Sequence, residues 1–129
     1  MRELQNHKIN GLKESVRIQR KEPIKIQVMD EPGEGGACRK YRLVGEDRED
    51  WVMLLIQFQD GPVGKVGVNG ITNEALLAIV EDRLAGFQAG RFACLENSMA
   101  LDNVRAAMHA LKYRTRDRII RGVEGQNVE

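Results

Sequence analysis

The sequence predicts an α+β fold in which an N-terminal antiparallel β-sheet is followed by a hairpin of two antiparallel helices. Two observations carry this prediction. Up to about residue 70, short apolar runs alternate with glycine- and proline-rich turns, whereas from Thr72 onward apolar residues recur at spacings of three and four. The chain has 129 residues, 42% of them apolar and 30% charged, so we expect one domain with one core.

Composition divides this expected domain into four segments. They are a polar N-terminal arm at 1–22, a β-rich half at 23–70, a helical hairpin at 71–122 and a loose tail at 123–129. The arm is mixed in charge and compatible with a short helix, an added arm or a mobile tail. It contains no apolar stretch of the kind found in secretory signals.

Strand signals fill the β-rich half. β-branched residues on alternate positions predict a strand over 24–29, and the most apolar run of the chain, 51–59, predicts a central strand. Residues 39–44 and 63–69 complete a predicted antiparallel sheet. The connections are a loop at 30–37, an acidic surface loop at 45–50 and a turn at Asp60-Gly61-Pro62.

Two helices are predicted after this sheet. Thr72 can cap the first, which ends at Ala89-Gly90, and the second runs from about Leu95–Ser98 to Arg121, where Gly122 stops it. The first apolar stripe is Leu76, Val80, Leu84 and Phe87, widened by Leu77 and Ile79; the second is Leu101, Val104, Met108, Leu111, Thr115 and Ile119.

The length of the second helix predicts an oligomer. About 25 residues make a rod of about 38 Å, whereas a domain of this size has a radius of gyration of roughly 14 Å. One short sheet and one shorter helix do not easily cover so long an apolar stripe, so we expect a second copy to cover the rest, as a twofold dimer. Alternatively, the C-terminal turns project into solvent.

Charge and composition narrow the classes of function. A net charge of +1 argues against a protein that wraps long nucleic acid, whereas five basic residues against one acid between Lys112 and Arg121 suit a small anion. Cys38 and Cys94 are far apart, which favours a reduced cytoplasmic setting. No apolar run is long enough for a membrane span, and no His/Cys/Asp cluster has metal-ligand spacing, so we expect neither a membrane nor a metal or other cofactor.

Candidate anion-binding residues lie on the second helix. Arg114 and Arg118 are four residues apart and share a face, which Arg121 extends. Guanidinium groups suit bidentate contact with phosphate. The alternative is structural: basic residues favour a helix C-terminus, and Asp117 could pair with Arg114 or Arg121.

Aromatic and amide groups surround the predicted hairpin turn. Phe87 and Phe92 could stack on a base and Asn97 could bind a base edge or ribose, or the two rings could be core and Asn97 a helix cap. In the loop at 30–37, glycine N–H groups could face phosphate, although an ordinary turn fits the pattern better. No nucleophile with a neighbouring base emerges, so an enzyme is unsupported.

Several segments in a fixed order resemble the phage anti-Thoeris proteins of the first type, which share a helical hairpin with an anti-CBASS family. The segments are MDEPGEGGA at 29–37, FQDGP at 58–62, GVNGITNEALLAIVEDRLAGFQAG at 67–90, FACLEN at 92–97 and RTRDRIIRGVEG at 114–125. The chain departs from the family pattern at Arg91, where proline is expected, at Leu95, where a basic residue is expected, and at Gln126, where threonine is expected.

The resemblance implies a sponge rather than an enzyme. Such proteins sequester cyclic ADP-ribose isomers made by Thoeris defence without cleaving them, and some also hold cyclic di- or trinucleotides of CBASS defence at a second site in a hexamer. The resemblance implies that Phe87, Asn97, Arg114 and Arg118 bind the ligand, and the residue pattern adds Phe92 and Arg121 to this set. The implied second site is Gly33, Gly35, Gly36 and Arg39. The alternative functions are a hydrolase of the same messengers, a nucleic-acid-binding phage accessory protein, and a purely structural oligomer.

Overall fold

In the computed structural model, residues 2–16 and 23–122 are described, apart from the Glu49 side chain. The predicted tail at 123–129 and part of the predicted arm therefore lie outside the described residues. The fold has two compact units, Met1–Asp60 and Gly61–Glu129. The first contains the sheet and the second the helices, which confirms the predicted α+β class.

The first unit is a four-stranded antiparallel meander in which each strand pairs with the next along the chain. The strands are β1 (Arg2–Leu4), β2 (Ile24–Val28), β3 (Lys40–Gly45) and β4 (Arg48–Gln57). β2 and β3 lie within a residue of their predicted positions. Their β-branched side chains form the core of this unit, since Val28 and Val44 are 1% and 0% exposed.

The beginning of the arm is a strand. β1 pairs antiparallel with β2 in a register that places Arg2 opposite Val28 and Leu4 opposite Ile26. Residues 2–4 of the predicted arm are therefore part of the sheet.

The structure corrects two predictions about β4. The strand begins inside the predicted acidic loop, because Gly45 pairs with Arg48 and leaves only Glu46 and Asp47 in the turn. It also lies at an edge of the sheet rather than in the centre. A long apolar run normally indicates burial on both faces, but β4 is the last strand of a sequential meander, and all five side chains from Trp51 to Leu55 are at least 37% exposed.

The strand predicted at 63–69 is wrong, because a helical turn, α1 (Val63–Val66), occupies its start. Pro62 has a φ of −65° and its carbonyl accepts the N–H groups of Lys65 and Val66, both at 3.0 Å. The start of a helix favours proline, because the fixed φ of proline suits the helical conformation. Gly67, with a φ of 76°, ends the turn in a backbone conformation that glycine tolerates best.

The predicted helical hairpin is present in the second unit. α2 (Asn73–Gln88) and α3 (Leu95–Ile120) pack against each other, and an ion pair of 3.4 Å joins Glu81 to Arg105 across them. The Thr72 hydroxyl caps α2 by accepting the Ala75 N–H at 3.1 Å, as predicted.

The buried face of α3 differs from the predicted stripe at its C-terminal end. Leu101 and Met108 are each 7% exposed, as expected for core residues, but Ile119 is 58% exposed while Arg118 is only 9% exposed. After Thr115, spacings of three and four both continue a helical stripe, and the tertiary structure selects the three-residue step. In α2, Leu76, Leu77 and Leu84 of the predicted apolar face are partly buried, whereas Ile79, Val80 and Phe87 are exposed.

Candidate functional site

The turn between α2 and α3 is organised by side-chain caps. Cys94 is the N-cap of α3, and its Sγ accepts the Asn97 N–H at 3.4 Å. The Cys94 N–H donates in turn to Oε1 of Gln88 at 3.0 Å, which ties the end of α2 to the start of α3. The interpretation of Asn97 as the cap is therefore wrong, since Cys94 supplies that bond.

Both phenylalanines at this end of the hairpin are accessible. Phe87 is 38% exposed and Phe92 is 62% exposed, so the interpretation of both as core residues does not hold. A guanidinium lies over each ring. The Cζ of Arg83 is 5.5 Å from the centroid of the Phe87 ring, and the Cζ of Arg91 is 5.1 Å from that of the Phe92 ring. These distances are within the range of cation–π attraction.

The candidate arginines of α3 have three different environments. Arg114 is exposed, whereas Arg118 is buried on the packed face of the helix. Arg121 pairs with Asp117 at 3.4 Å, as the spacing allowed. Arg114 is therefore the candidate whose substitution disturbs the fold least, and replacing Arg118 would affect packing as well as charge.

Within one copy, the structure does not bring the two groups of candidates together. Asn97 and Arg114 lie on one continuous helix, α3, and are seventeen residues apart. At 1.5 Å per residue their backbones are about 25 Å apart, too far for a single messenger-sized ligand. The aromatic and amide groups thus lie at the turn end of the hairpin, and the arginines at its far end.

In the first unit, Met1–Asp60 (the β-unit), the structure places Gly33 beside Arg39. The loop is closed by two hydrogen bonds, from the Gly33 N–H to the Ala37 carbonyl and from the Gly36 N–H to the Gly33 carbonyl, both 2.9 Å long. The Arg39 side chain packs so closely over Gly33 that any Cβ there would collide with the guanidinium. A side chain at position 33 would therefore require the Arg39 guanidinium to move, whereas Gly35 has open space around it.

Two carboxylates already hold the Arg39 guanidinium. Asp30 lies 3.2 Å from it and Asp60 lies 3.4 Å from it. Asp30 also accepts the backbone N–H groups of Arg39 and Lys40, each at 3.2 Å. An anion that bound Arg39 would have to displace a carboxylate, and Asp60, with 60% of its side chain exposed against 15% for Asp30, is the more readily displaced.

These contacts shift the titration of Asp30. Burial by itself raises the pKa of this carboxyl, but hydrogen bonds from the Lys40 and Arg39 backbone, together with the charges of both side chains, outweigh burial and lower the pKa below its ordinary value of 3.8. A carboxylate with a lowered folded-state pKa stabilises the fold at any pH above its unfolded pKa.

We therefore expect Asp30→Asn to destabilise the β-unit at neutral pH. The loss in free energy of unfolding, relative to the unsubstituted chain, should shrink as the pH falls below 3.8. It should disappear below the lowered pKa of Asp30. Urea unfolding monitored through Trp51, the single tryptophan, measures this across pH. The control is Asp50→Asn, because Asp50 is 74% exposed and, among the residues that the structure describes, pairs with Arg48 alone at the surface. A pH-independent deficit for Asp30→Asn would contradict the assignment.

Comparison with known proteins finds relatives of the hairpin. The model of the Acb2/Tad1 hairpin domain matches residues 53–116, which contain all of α2 and most of α3. Residues 53–116 are therefore similar to the hairpin domain that this model describes. The chain is also similar to "Thoeris anti-defense 1" of Bacillus phage SBSphiJ7, with 47% identity over 95 residues that make up 72% of this chain. These findings confirm the resemblance to anti-Thoeris proteins of the first type.

The match does not extend over the whole relative. The chain spans 63% of the length of the SBSphiJ7 protein. The matched residues contain the sequence-predicted Phe87, Phe92, Asn97 and Arg114, whereas Arg118 and Arg121 lie just beyond them.

The matched residues also include Arg83, which sequence analysis did not select. The four-residue spacing of Arg83 and Phe87 was a signal for a contact on one helix face. Only the structure shows that both side chains remain exposed at the turn end of the hairpin. In residues 2–16 and 23–122, no helix is long and apolar enough to cross a membrane, and no group of three or more His, Cys, Asp or Glu residues could hold a metal ion.

Proposed function

We propose that this chain is a phage anti-defence protein that binds and sequesters a cyclic ADP-ribose isomer in the cytoplasm of the infected bacterium and leaves it intact. Loss of the signal would block Thoeris immunity. The main support is the combined match of residues 53–116 to the Acb2/Tad1 hairpin domain and of 95 residues to Thoeris anti-defense 1. The exposed rings of Phe87 and Phe92 on this hairpin suit the adenine part of such a ligand.

In this proposal, two copies of the chain build each pocket. Phe87 and Asn97 come from one copy, and Arg114 and Arg118 come from a partner packed antiparallel against it. The separation of about 25 Å along α3 supports this arrangement, because one ligand can reach both groups only when they come from different chains. A twofold dimer then has two equivalent pockets, and three such dimers would form a hexamer.

A second site for cyclic di- or trinucleotides is proposed at the loop containing Gly33, Gly35, Gly36 and Arg39. Phosphate oxygens would replace Asp60 on the guanidinium, while Asp30 keeps the arginine in place. Such a site would link the chain to CBASS signals. Because one acidic partner must be displaced, we expect binding there to be weaker than in the hairpin pocket.

The test is calorimetry with a panel of cyclic ADP-ribose isomers and cyclic oligonucleotides, followed by recovery of the bound molecule. We expect at least one cyclic ADP-ribose isomer to bind with a sub-micromolar Kd, about −8 kcal/mol or better. Heating the complex should then release the ligand unchanged in mass and chromatographic position. Recovery of a linear product would identify a hydrolase, and the absence of binding across the whole panel would refute the proposal.

A nucleic-acid-binding accessory protein is the second candidate, favoured by one observation. Lys112 and Arg114 are both exposed on the C-terminal half of α3. Binding of a DNA or RNA duplex through such residues would weaken steeply between low and high salt, since each phosphate contact releases counterions. Duplex titration at two salt concentrations separates this candidate from a pocket that binds one small ligand.

A further inference from the structure

Two arginine–phenylalanine pairs occupy the turn end of the hairpin. Arg83 lies 5.5 Å from the centroid of the Phe87 ring on α2, and Arg91 lies 5.1 Å from that of Phe92 in the turn that follows. Both rings are exposed, at 38% and 62%. The pairing of an exposed ring with an exposed guanidinium therefore occurs twice at this end of the hairpin.

Neither guanidinium is neutralised within residues 2–16 and 23–122. No carboxylate pairs with Arg83 or Arg91 there, whereas Arg105 on the opposite helix is paired with Glu81. The helix neighbours of Arg83 three and four residues away are Ile79, Val80, Gly86 and Phe87, none of them acidic. Both positive charges therefore remain available to a ligand.

An arginine that lies over a ring can keep its hydrogen-bonding capacity. A guanidinium that contacts a ring through its flat face still has its N–H donors around its edge. One such pair offers an aromatic surface with charged donors beside it. This combination matches a planar base joined through a sugar to phosphate, because the base can stack while the phosphate accepts from the guanidinium edge.

We infer that Arg83 and Arg91 are specificity-determining residues that select ligands carrying both a base and a diphosphate. The inference rests on the proposed function for the location of the pocket and adds to it a cationic contribution from the turn end of the hairpin. The phosphate of the ligand would then be held from two sides, by Arg83 and Arg91 of one copy and by the partner's α3 arginines. Arg83 acts also as a positioning residue for the Phe87 ring.

The experiment compares Arg83→Gln, Arg91→Gln and Arg83→Lys with the unsubstituted chain by calorimetry. The probes are cyclic ADP-ribose isomers, ADP and adenosine. We expect each glutamine variant to lose roughly 5- to 30-fold in affinity for diphosphate ligands, the range of a partly desolvated cation–π and phosphate contact. Adenosine, which has no phosphate, should be affected far less. Arg83→Lys should recover part of the loss, because it keeps the charge but not the planar fork.

Lys65→Gln is the matched control, since Lys65 is an exposed basic residue of the same unit and carries no ring contact. It should bind every probe as the unsubstituted chain does. If the chain binds a cyclic ADP-ribose isomer and both glutamine variants bind it equally well, the inference is overturned while the proposed function stands. If the chain binds ADP through these arginines but no cyclic messenger, the proposed function fails and the inference stands. Failure to bind any probe refutes both.

Discussion

Mixing two variants that each bind weakly should restore tight ligand binding. Asn97→Ala and Arg114→Ala each remove one polar contact from the proposed pocket, and each alone should bind a cyclic ADP-ribose isomer roughly 10- to 100-fold more weakly, as expected when a charge-assisted contact to a ligand is lost. Both positions tolerate truncation, because Arg114 is exposed and the Asn97 side chain is not the cap of α3.

If two copies share each pocket, the fraction of pockets that regain full affinity can be calculated. A mixed dimer has one pocket that carries both substitutions and one that carries neither. Random reassortment makes half of all dimers mixed, so about a quarter of the pockets should regain full affinity. The stoichiometry measured by calorimetry after unfolding and refolding the two variants together reads this fraction directly.

Two further measurements complete the mixing experiment. Sedimentation should show that each variant retains the oligomeric state of the unsubstituted chain, which excludes loss of binding through dissociation. Refolding each variant alone should restore nothing. If the mixture also regains no high-affinity sites while mixed dimers demonstrably form, then both residues act within one chain or the pocket lies elsewhere.

The second large effect is expected in the core of the hairpin. Met108 is 7% exposed on the face of α3 that packs within the second unit. Its replacement by alanine should reduce the free energy of unfolding by about 2–5 kcal/mol, since it removes buried apolar atoms and leaves a cavity that the helices fill only in part. Urea unfolding followed by helical circular dichroism measures the change.

The same helix offers a control of the same residue type. Met99 lies two and a half turns earlier and is 55% exposed. Met99→Ala should change the free energy of unfolding by no more than about 0.5 kcal/mol, because a surface truncation removes few contacts. Equal destabilisation by the two substitutions would mean that the exposed face of α3 is also packed in solution, as in an oligomer whose interface includes Met99.

Local chemistry made much of the fold predictable. Thr72 caps α2 because a hydroxyl before a helical pattern satisfies a free backbone N–H, and this rule needs no tertiary context. The same holds for strand β2, whose β-branched residues occupy alternate positions and therefore share one face of the sheet. In contrast, Val63–Val66 has the composition of a strand but follows Pro62, whose fixed φ starts a helical turn instead.

The candidate site was less predictable because exposure depends on packing. The sequence analysis left Phe87 and Phe92 between core and surface, and their exposure supports an accessible role. Arg118 is the opposite case, because it was expected at the surface and is buried in the structure. In both cases the residue type permits either environment, since aromatic and arginine side chains combine large apolar surfaces with polar groups.

By itself, the sequence determined the α+β order, the helical hairpin and the family resemblance, because all three depend on patterns between neighbours along the chain. Only the tertiary structure decided that β4 is an edge strand, that Arg39 is held by Asp30 and Asp60, and that Arg83 and Arg91 lie on exposed rings. The physical reason is that edge position, ion pairing and exposure depend on which distant surfaces approach one another. Periodicity describes one element at a time and carries no information about that approach.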